Sequence, residues 1–396
     1  MSVKLICVFI LLFVTAIFSA TFNGFYYGER VFTDAGLSIF GIDQPLPNLV
    51  PNKRVKLNIG YEINYENRKR DIYDNYNNYI GKNKYASYKN DNLGIYSFFI
   101  NYNNFSFLIN RDRDCNYRFV ENIFDITNSK IKENERKSEG FIYSYNIFYK
   151  IKLLQNLTIY PEISYRKFEN EIKVREDFVS QSFSDYNLYG KYNGDGFGFN
   201  LLIEYETMRF HKFMLQYKSG IKYKGDYFIN DSNGLVEDIK DKEIKYPYEI
   251  KFITVLTLPS EHFTKLFVNI SYIDWEELKD NNGFSLPAVK PSLKETIIYS
   301  LGIKYKVIKK MEGGFAIYYE PININNDNKK LGLNLGANYN LNERFNFNIG
   351  LNYYTYLYKE NYPFTLQATG NRVNRIDIDY SENHNIKINF GIECKL

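Results

Sequence analysis

Again and again, for about ten residues at a time, this chain places an apolar residue at every second position and a polar residue or glycine between. Val55, Leu57, Ile59, Tyr61, Ile63 and Tyr65 alternate with Lys56, Asn58, Gly60, Glu62 and Asn64. Phe141, Tyr143, Tyr145, Ile147, Tyr149 and Ile151 form a second such row, and Phe197, Phe199, Leu201, Ile203 and Tyr205 a third. The C-terminal third is the most regular: Tyr299 to Val307, Leu331 to Tyr339, Phe345 to Tyr353 and Ile386 to Leu396 each keep the pattern. A period of two is the side-chain period of a β-strand. About ten residues is the length a tilted strand needs to cross a bilayer. A soluble sandwich hides its apolar rows against a second sheet, whereas a membrane barrel turns them to lipid and its polar rows to the lumen.

The spacing of the rows carries as much information as the rows. Strands are expected near 54–67, 94–102, 104–112, 139–153, 156–168, 195–206, 210–224, 246–258, 262–275, 294–308, 311–320, 329–340, 343–357 and 383–396, about fourteen in all. Connections alternate between long (68–93, 113–138, 169–194, 225–245, 276–293) and short (103, 154–155, 207–209, 259–261, 309–310). Short turns at one end and long loops at the other are the habit of bacterial outer-membrane barrels. An even number brings the last strand beside the first, so 383–396 is expected to pair with 54–67. The fold expected is all-β, a transmembrane antiparallel β-barrel of about 14 strands.

Composition agrees without deciding. Tyr 38 and Phe 32 are high counts for a chain whose mean hydropathy is −0.41, as aromatic girdles around a short apolar band would produce. An AT-rich coding sequence enriches several of the same residues, so periodicity carries the case. A net charge of +4 over 396 residues does not suggest a nucleic-acid partner. Cys115 and Cys394 are too few and too distant for a disulfide framework. His211, His262 and His384 have no metal-ligand spacing, and nothing calls for a cofactor. His384 beside Ser381 and Glu382 is mere sequence adjacency and no catalytic triad, so no enzyme is expected.

Met1 to Ala20 has an early Lys4, an apolar run from Leu5 to Phe18 and then small residues, which reads as a secretory signal peptide cut after Ala20 or Ser19. Residues 21–53 include Pro45, Pro47 and Pro51 and cannot form a strand; they are expected to fold back into the lumen as a plug. Residues 54–396 make the barrel. Asn389-Phe390-Gly391-Ile392-Glu393-Cys394-Lys395-Leu396 has the polar-x-Gly-x-x-apolar-x-apolar form read by the barrel-assembly machinery, an expected partner during biogenesis together with outer-membrane lipid.

Between 262 and 356 the residues carry a more specific likeness. Ser271-Tyr272-Ile273-Asp274-Trp275 closes one strand. Leu301-Gly302-Ile303-Lys304-Tyr305 follows, then a Lys309-Lys310 turn, then Gly313-Gly314-Phe315-Ala316-Ile317-Tyr318-Tyr319-Glu320-Pro321, and Leu335-Gly336-Ala337-Asn338-Tyr339 repeats the form. Here the chain resembles the FadL/TodX family of long-chain fatty-acid and aromatic-hydrocarbon transporters. The family's Asn-Pro-Ala hatch motif is absent; Pro45-Leu46-Pro47-Asn48 stands in that region.

The resemblance implies a fourteen-stranded barrel plugged by an N-terminal hatch, in the bacterial outer membrane, importing hydrophobic small molecules passively. The apolar residues expected on the inner face are Phe148, Leu202, Met214, Phe267, Ile273 and Tyr318, the candidates for ligand contact or for packing on the plug. Phe284 and Leu286, in the apolar loop 276–293, are candidates for ligand capture. Inward Lys56, Lys150, Lys212, Lys218, Lys304 and Lys306 either attract a carboxylate or pair with neighbouring acids. Pro161, inside an expected strand, lacks an N–H and marks a candidate bulge or kink in the wall. A diffusion porin for small polar solutes and a protein-docking barrel are the alternative functions.

Overall fold

The computed structural model describes residues 53–73, 79–84, 88–124, 130–179, 184–208, 210–232, 234, 236–258, 264–274, 279–280, 295–321, 329–362, 366–368, 371–373 and 375–395. The expected signal peptide (1–20), the expected plug (21–53) except Lys53, and residues Trp275, Phe284 and Leu286 lie outside the described residues.

Fourteen strands form the wall. They are β1 (Arg54–Tyr73), β2 (Tyr88–Tyr102), β3 (Phe105–Phe124) and β4 (Lys130–Tyr149, resuming at Ile151–Lys152). Next come β5 (Leu157–Phe178), β6 (Tyr186–Met208), β7 (His211–Lys218, then Ile221–Asp231) and β8 (Val236–Tyr246, then Glu249–Thr257). The rest are β9 (Lys265–Asp274), β10 (Glu295–Ile308), β11 (Met311–Pro321), β12 (Lys329–Asn340), β13 (Phe345–Tyr362) and β14 (Arg375–Lys395). Each pairs antiparallel with its sequence neighbours, and β14 closes on β1 from Arg54↔Lys395 to Tyr73↔Arg375. Closure leaves no edge strand, the condition for a sheet in lipid.

The fourteen expected rows are these fourteen strands, but the wall is taller than their apolar parts. β3 runs to Phe124 and β4 starts at Lys130, so residues expected as a long loop at 113–138 are mostly strand. β5 to β8 extend in the same way through 169–194 and 225–245. β9 to β12 have only 10 to 14 residues, so the rim is low there. The extensions carry charge on the outer face, with pairs such as Arg175–Asp177 at 2.8 Å and Lys240–Asp238 at 3.0 Å. Without an apolar row, period two leaves no mark in the sequence.

Alternation sorts the wall into two faces. Outward side chains stay exposed although apolar: Ile163 by 65%, Phe197 by 71%, Phe105 by 61%. Their neighbours Ser164, Gly196 and Ser106 are buried inside. The outer belt is edged by aromatics, with Phe105 and Tyr149 4.8 Å apart at the short-turn side and the ladders Tyr145–Tyr165–Phe197 and Tyr217–Tyr248–Tyr272 at the other. Eight residues of β6 separate Tyr205 from Phe197, about 26 Å of strand and so about 20 Å of height at a tilt of ~40°. A band of this height approaches the ~25 Å apolar band of outer-membrane barrels.

Pro161 does not make a bulge. Its ladder with β6 runs unbroken from Leu157↔Tyr205 through Pro161↔Leu201 to Glu176↔Tyr186. On the other side Phe148 pairs with Glu162 and Ile151 with Ile159, one register throughout, with only Tyr149 and Lys150 dropping out opposite the proline. A missing N–H loses a ladder bond there without parting the strands. The wall bends elsewhere. The inward set changes parity between Gln216 and Ile221 on β7 and between Tyr246 and Lys251 on β8, where Ser219–Gly220 and Pro247–Tyr248 interrupt the strands. Next to this bend β6 offers Gly194, Gly196 and Gly198. A Cβ on Gly196 would lie 2.4 Å from the Lys222 carbonyl oxygen, so the approach of β7 needs glycine.

Candidate functional site: the barrel lumen

The six described lining candidates, Phe148, Leu202, Met214, Phe267, Ile273 and Tyr318, all face inward with side chains 1–4% exposed. Leu202, Met214 and Phe267 come together with Tyr160, Ile253, Val255 and Ala316 in one apolar cluster near the short-turn end. Phe148 belongs to a smaller cluster with Phe99 and Leu108 at a similar depth. Ile273 and Tyr318 join neither; the Tyr318 ring lies over Gly332, where a Cβ would come within 1.9 Å of it.

A larger cluster lies toward the long-loop end and escaped the sequence reading. Ile142, Phe168, Tyr192, Ile221, Tyr223, Tyr227, Ile244 and Tyr246, from β4 to β8, bury one another. Phe168 stands 5.5 Å from both Tyr192 and Tyr223 and 5.7 Å from Tyr246, ring centre to ring centre. The Tyr192 hydroxyl donates toward the carbonyls of Tyr223 (3.2 Å) and Lys242 (3.1 Å), tying β6 to the bent β7–β8 hairpin. The glycines at 194, 196 and 198, with the alternation of Tyr223, Ile244 and Tyr246, were the available signal.

Between the two apolar levels runs a polar collar. On β3 to β5 the Ser164 hydroxyl donates to Asn146 (2.6 Å), the Asn146 amide donates to Asn110 (3.1 Å), and Arg166 Nε donates to Ser164 (3.0 Å). Glu162 and Arg166 are buried to 5% and 6% exposure in the same layer. On β7 and β8, Glu249 takes Lys218 at 3.1 Å and Lys251 at 3.4 Å. Nearer the short turns Lys212 pairs with Glu204 at 2.9 Å and Lys304 with Glu312 at 2.6 Å. Three of the six expected inward lysines, Lys212, Lys218 and Lys304, are therefore paired with acids of the wall, while Lys150 is exposed and stands over the Tyr160 ring at 6.0 Å. Above the membrane band Lys240 is held above the ordinary lysine range by hydrogen bonds to Asp238 and then Asp226.

The opposite wall differs in kind. From β11 to β13 most inward residues are small or amides, Gly314, Ala316, Gly332, Asn334, Gly336, Asn338, Asn348, Gly350 and Asn352, with Tyr318 and Glu320 the exceptions on β11. Along β5 to β9 the lumen thus holds two apolar levels with a polar collar between them, and along β11 to β13 it is rich in small residues and amides. Among the described residues no group of His, Cys, Asp and Glu is placed to hold a metal. No helix there is long and apolar enough to cross a membrane; this chain crosses with strands.

The fold defines a class: a closed fourteen-stranded antiparallel β-barrel. Among solved structures the chain is similar to a FadL homologue of Pseudomonas aeruginosa, 13% identical, with 95% of this chain and 98% of that one covered and a TM-score of 0.59. It is also similar to the toluene transporter TodX of P. putida (10% identical, 91% and 94% covered, TM-score 0.57). The CymD monoaromatic hydrocarbon channel is a third (11% identical, 95% and 99% covered, TM-score 0.54). At these identities the likeness is one of fold. No family model matches the sequence, and no curated protein sequence matches it.

Proposed function

We propose that the protein is an outer-membrane transporter for passive uptake of hydrophobic or amphipathic small molecules, of which long-chain fatty acids are the type, through a plugged barrel. The observation that carries this reading is the apolar cluster around Met214 inside a wall whose lumen would be polar if it served water and ions. Burying seven apolar side chains on the inner face of a barrel has no use in a diffusion pore. The collar of Ser164, Arg166 and Glu162 above it suits a cargo with a polar head, whose tail then sits among Leu202, Met214 and Phe267. The outward belt supports placement in a bacterial outer membrane, and the named transporters of the same fold support the cargo class. Phe284 and Leu286 remain the proposed capture residues.

The test is binding of a fluorescent long-chain carboxylic acid to the refolded, detergent-solubilised barrel, with Met214→Lys compared against the unaltered protein. An ammonium placed in the cluster should weaken binding at least ~tenfold, while heat-modifiable gel migration reports that both proteins are folded. Equal binding by the two folded proteins removes the cluster from the pathway. Steady ion conductance by the unaltered barrel with no binding at all selects the diffusion-porin reading.

A further inference from the structure

The inner wall from β11 to β2 carries a lateral row of residues nearly without side chains. Gly314 pairs with Gly336, and Gly336 with Gly350. Gly350 pairs with Asn389, Asn389 with Gly60, and Gly60 with Gly94. Directly paired residues share a face of the sheet, and Phe347 and Ile349 beside Gly350 point outward, so Gly314, Gly336 and Gly350 face the lumen. Glycine supplies 24 of 396 residues, so five in a row of six is not a matter of composition. Gly314, Gly336 and Gly350 all lie inside strands and not at turns.

The borders of the row are amides. Asn334 and Asn352 stand on one side, paired with each other, and Asn338 and Asn348 on the other. Asn334 is wholly buried, yet neither atom of its amide has a partner. Asn352 Oδ1 and Asn348 Nδ2 are likewise without one, in side chains 1% and 5% exposed. A buried amide left unpaired is costly, and native interiors rarely keep several together. A strip with no Cβ admits another backbone to contact distance. An asparagine amide offers the donor and acceptor that a peptide group needs.

The geometry points to a docking strip for the chain's own N-terminal segment, Thr21 to Asn52, laid across Gly314, Gly336 and Gly350 with its peptide groups bonded to Asn334, Asn348 and Asn352. The segment joins the wall at the right place. β1 begins at Arg54, six residues from Gly60 of the same row, and Lys53 just before it takes a left-handed turn (φ 57°) that leads the chain out of the line of the strand. The thirty-odd residues before that turn reach any point of the row. The apolar cluster around Met214 on the opposite wall is left to the cargo. This inference rests on the plugged-barrel reading and assigns the plug its wall.

Disulfide capture in the full mature chain tests it, after Cys115→Ser and Cys394→Ser. Ser38→Cys, Asp43→Cys and Asn48→Cys are each combined with Gly336→Cys or Gly350→Cys on the strip, or with Leu202→Cys on the opposite wall. A disulfide forms only when the two Cα atoms come within about 7 Å, and peptide mass spectrometry reads it. Capture on the strip and not at Leu202→Cys is the expected result. Capture at Leu202→Cys alone overturns the docking strip while leaving the plug, and capture at neither wall overturns both. Independently, Gly336→Val with Gly350→Val, checked for folding by heat-modifiable migration, should speed proteolysis within 21–52 about tenfold. An unchanged rate in the folded variant also overturns the strip.

Discussion

Tyr192 shows how much one side chain holds at the mouth of this barrel. Its ring packs on Phe168 and its hydroxyl reaches two carbonyls, of Tyr223 and Lys242, on a hairpin that bends away from the wall line. Tyr192→Phe keeps the ring and removes the donor, which should cost about 1–2 kcal/mol, felt locally. Hydrogen–deuterium exchange should quicken in 221–246 and stay unchanged in 345–353; uniform change along the chain would mean the hydroxyl acts on the whole barrel. The sequence reading missed Tyr192 because it sits in 169–194, where both faces carry charge or glycine. It found Leu202, Met214 and Phe267 because each interrupts a polar row inside a strand whose other row is apolar. Residues were legible where one face was already known to meet lipid. They were hidden where pairing partners, not periodicity, define the face.

At the scale of the element, the strands were legible in number and phase but not in length. The apolar row of β5 ends at Tyr165, and the strand continues to Phe178 with Lys167, Glu169, Lys173 and Arg175 outward. Those thirteen further residues are held by ladder bonds to β4 and β6 that any side chain allows. Pro161 is the converse case, where a residue-level rule promised more disruption than occurs. Only the pairing of Tyr149 and Lys150 lapses, and the register is the same on either side. Pro161→Ala restores the N–H, so it should leave stability the same or raise it by less than about 1 kcal/mol, with uptake of the fluorescent acid unchanged. Lost uptake in a folded Pro161→Ala barrel would instead make the lapse a gate.

Across the whole molecule, three surfaces divide the work. The outer belt meets lipid, the β5–β9 lumen carries apolar clusters on either side of a polar collar, and the β11–β2 lumen carries the glycine row and its amides. The belt was legible from period two alone, since every strand repeats it. The contrast between the two halves of the lumen was not, because it exists only once register sets Gly336 beside Gly350 and Met214 beside Ile253. The belt also makes a depth-dependent prediction. Ile349 and Phe345 lie on the outward row of β13 with similar exposures, 47% and 39%, the first at the middle of the band and the second at its short-turn rim. A charge at mid-membrane should cost about 2–4 kcal/mol and one at the interface about 0–1. Ile349→Arg should therefore lower the denaturant midpoint of the barrel folded in lipid vesicles far more than Phe345→Arg. In water the two positions would be nearly equivalent, because both side chains are about equally exposed. Equal shifts in vesicles would mean that no hydrocarbon surrounds this wall, and with it the membrane placement of the protein would fall.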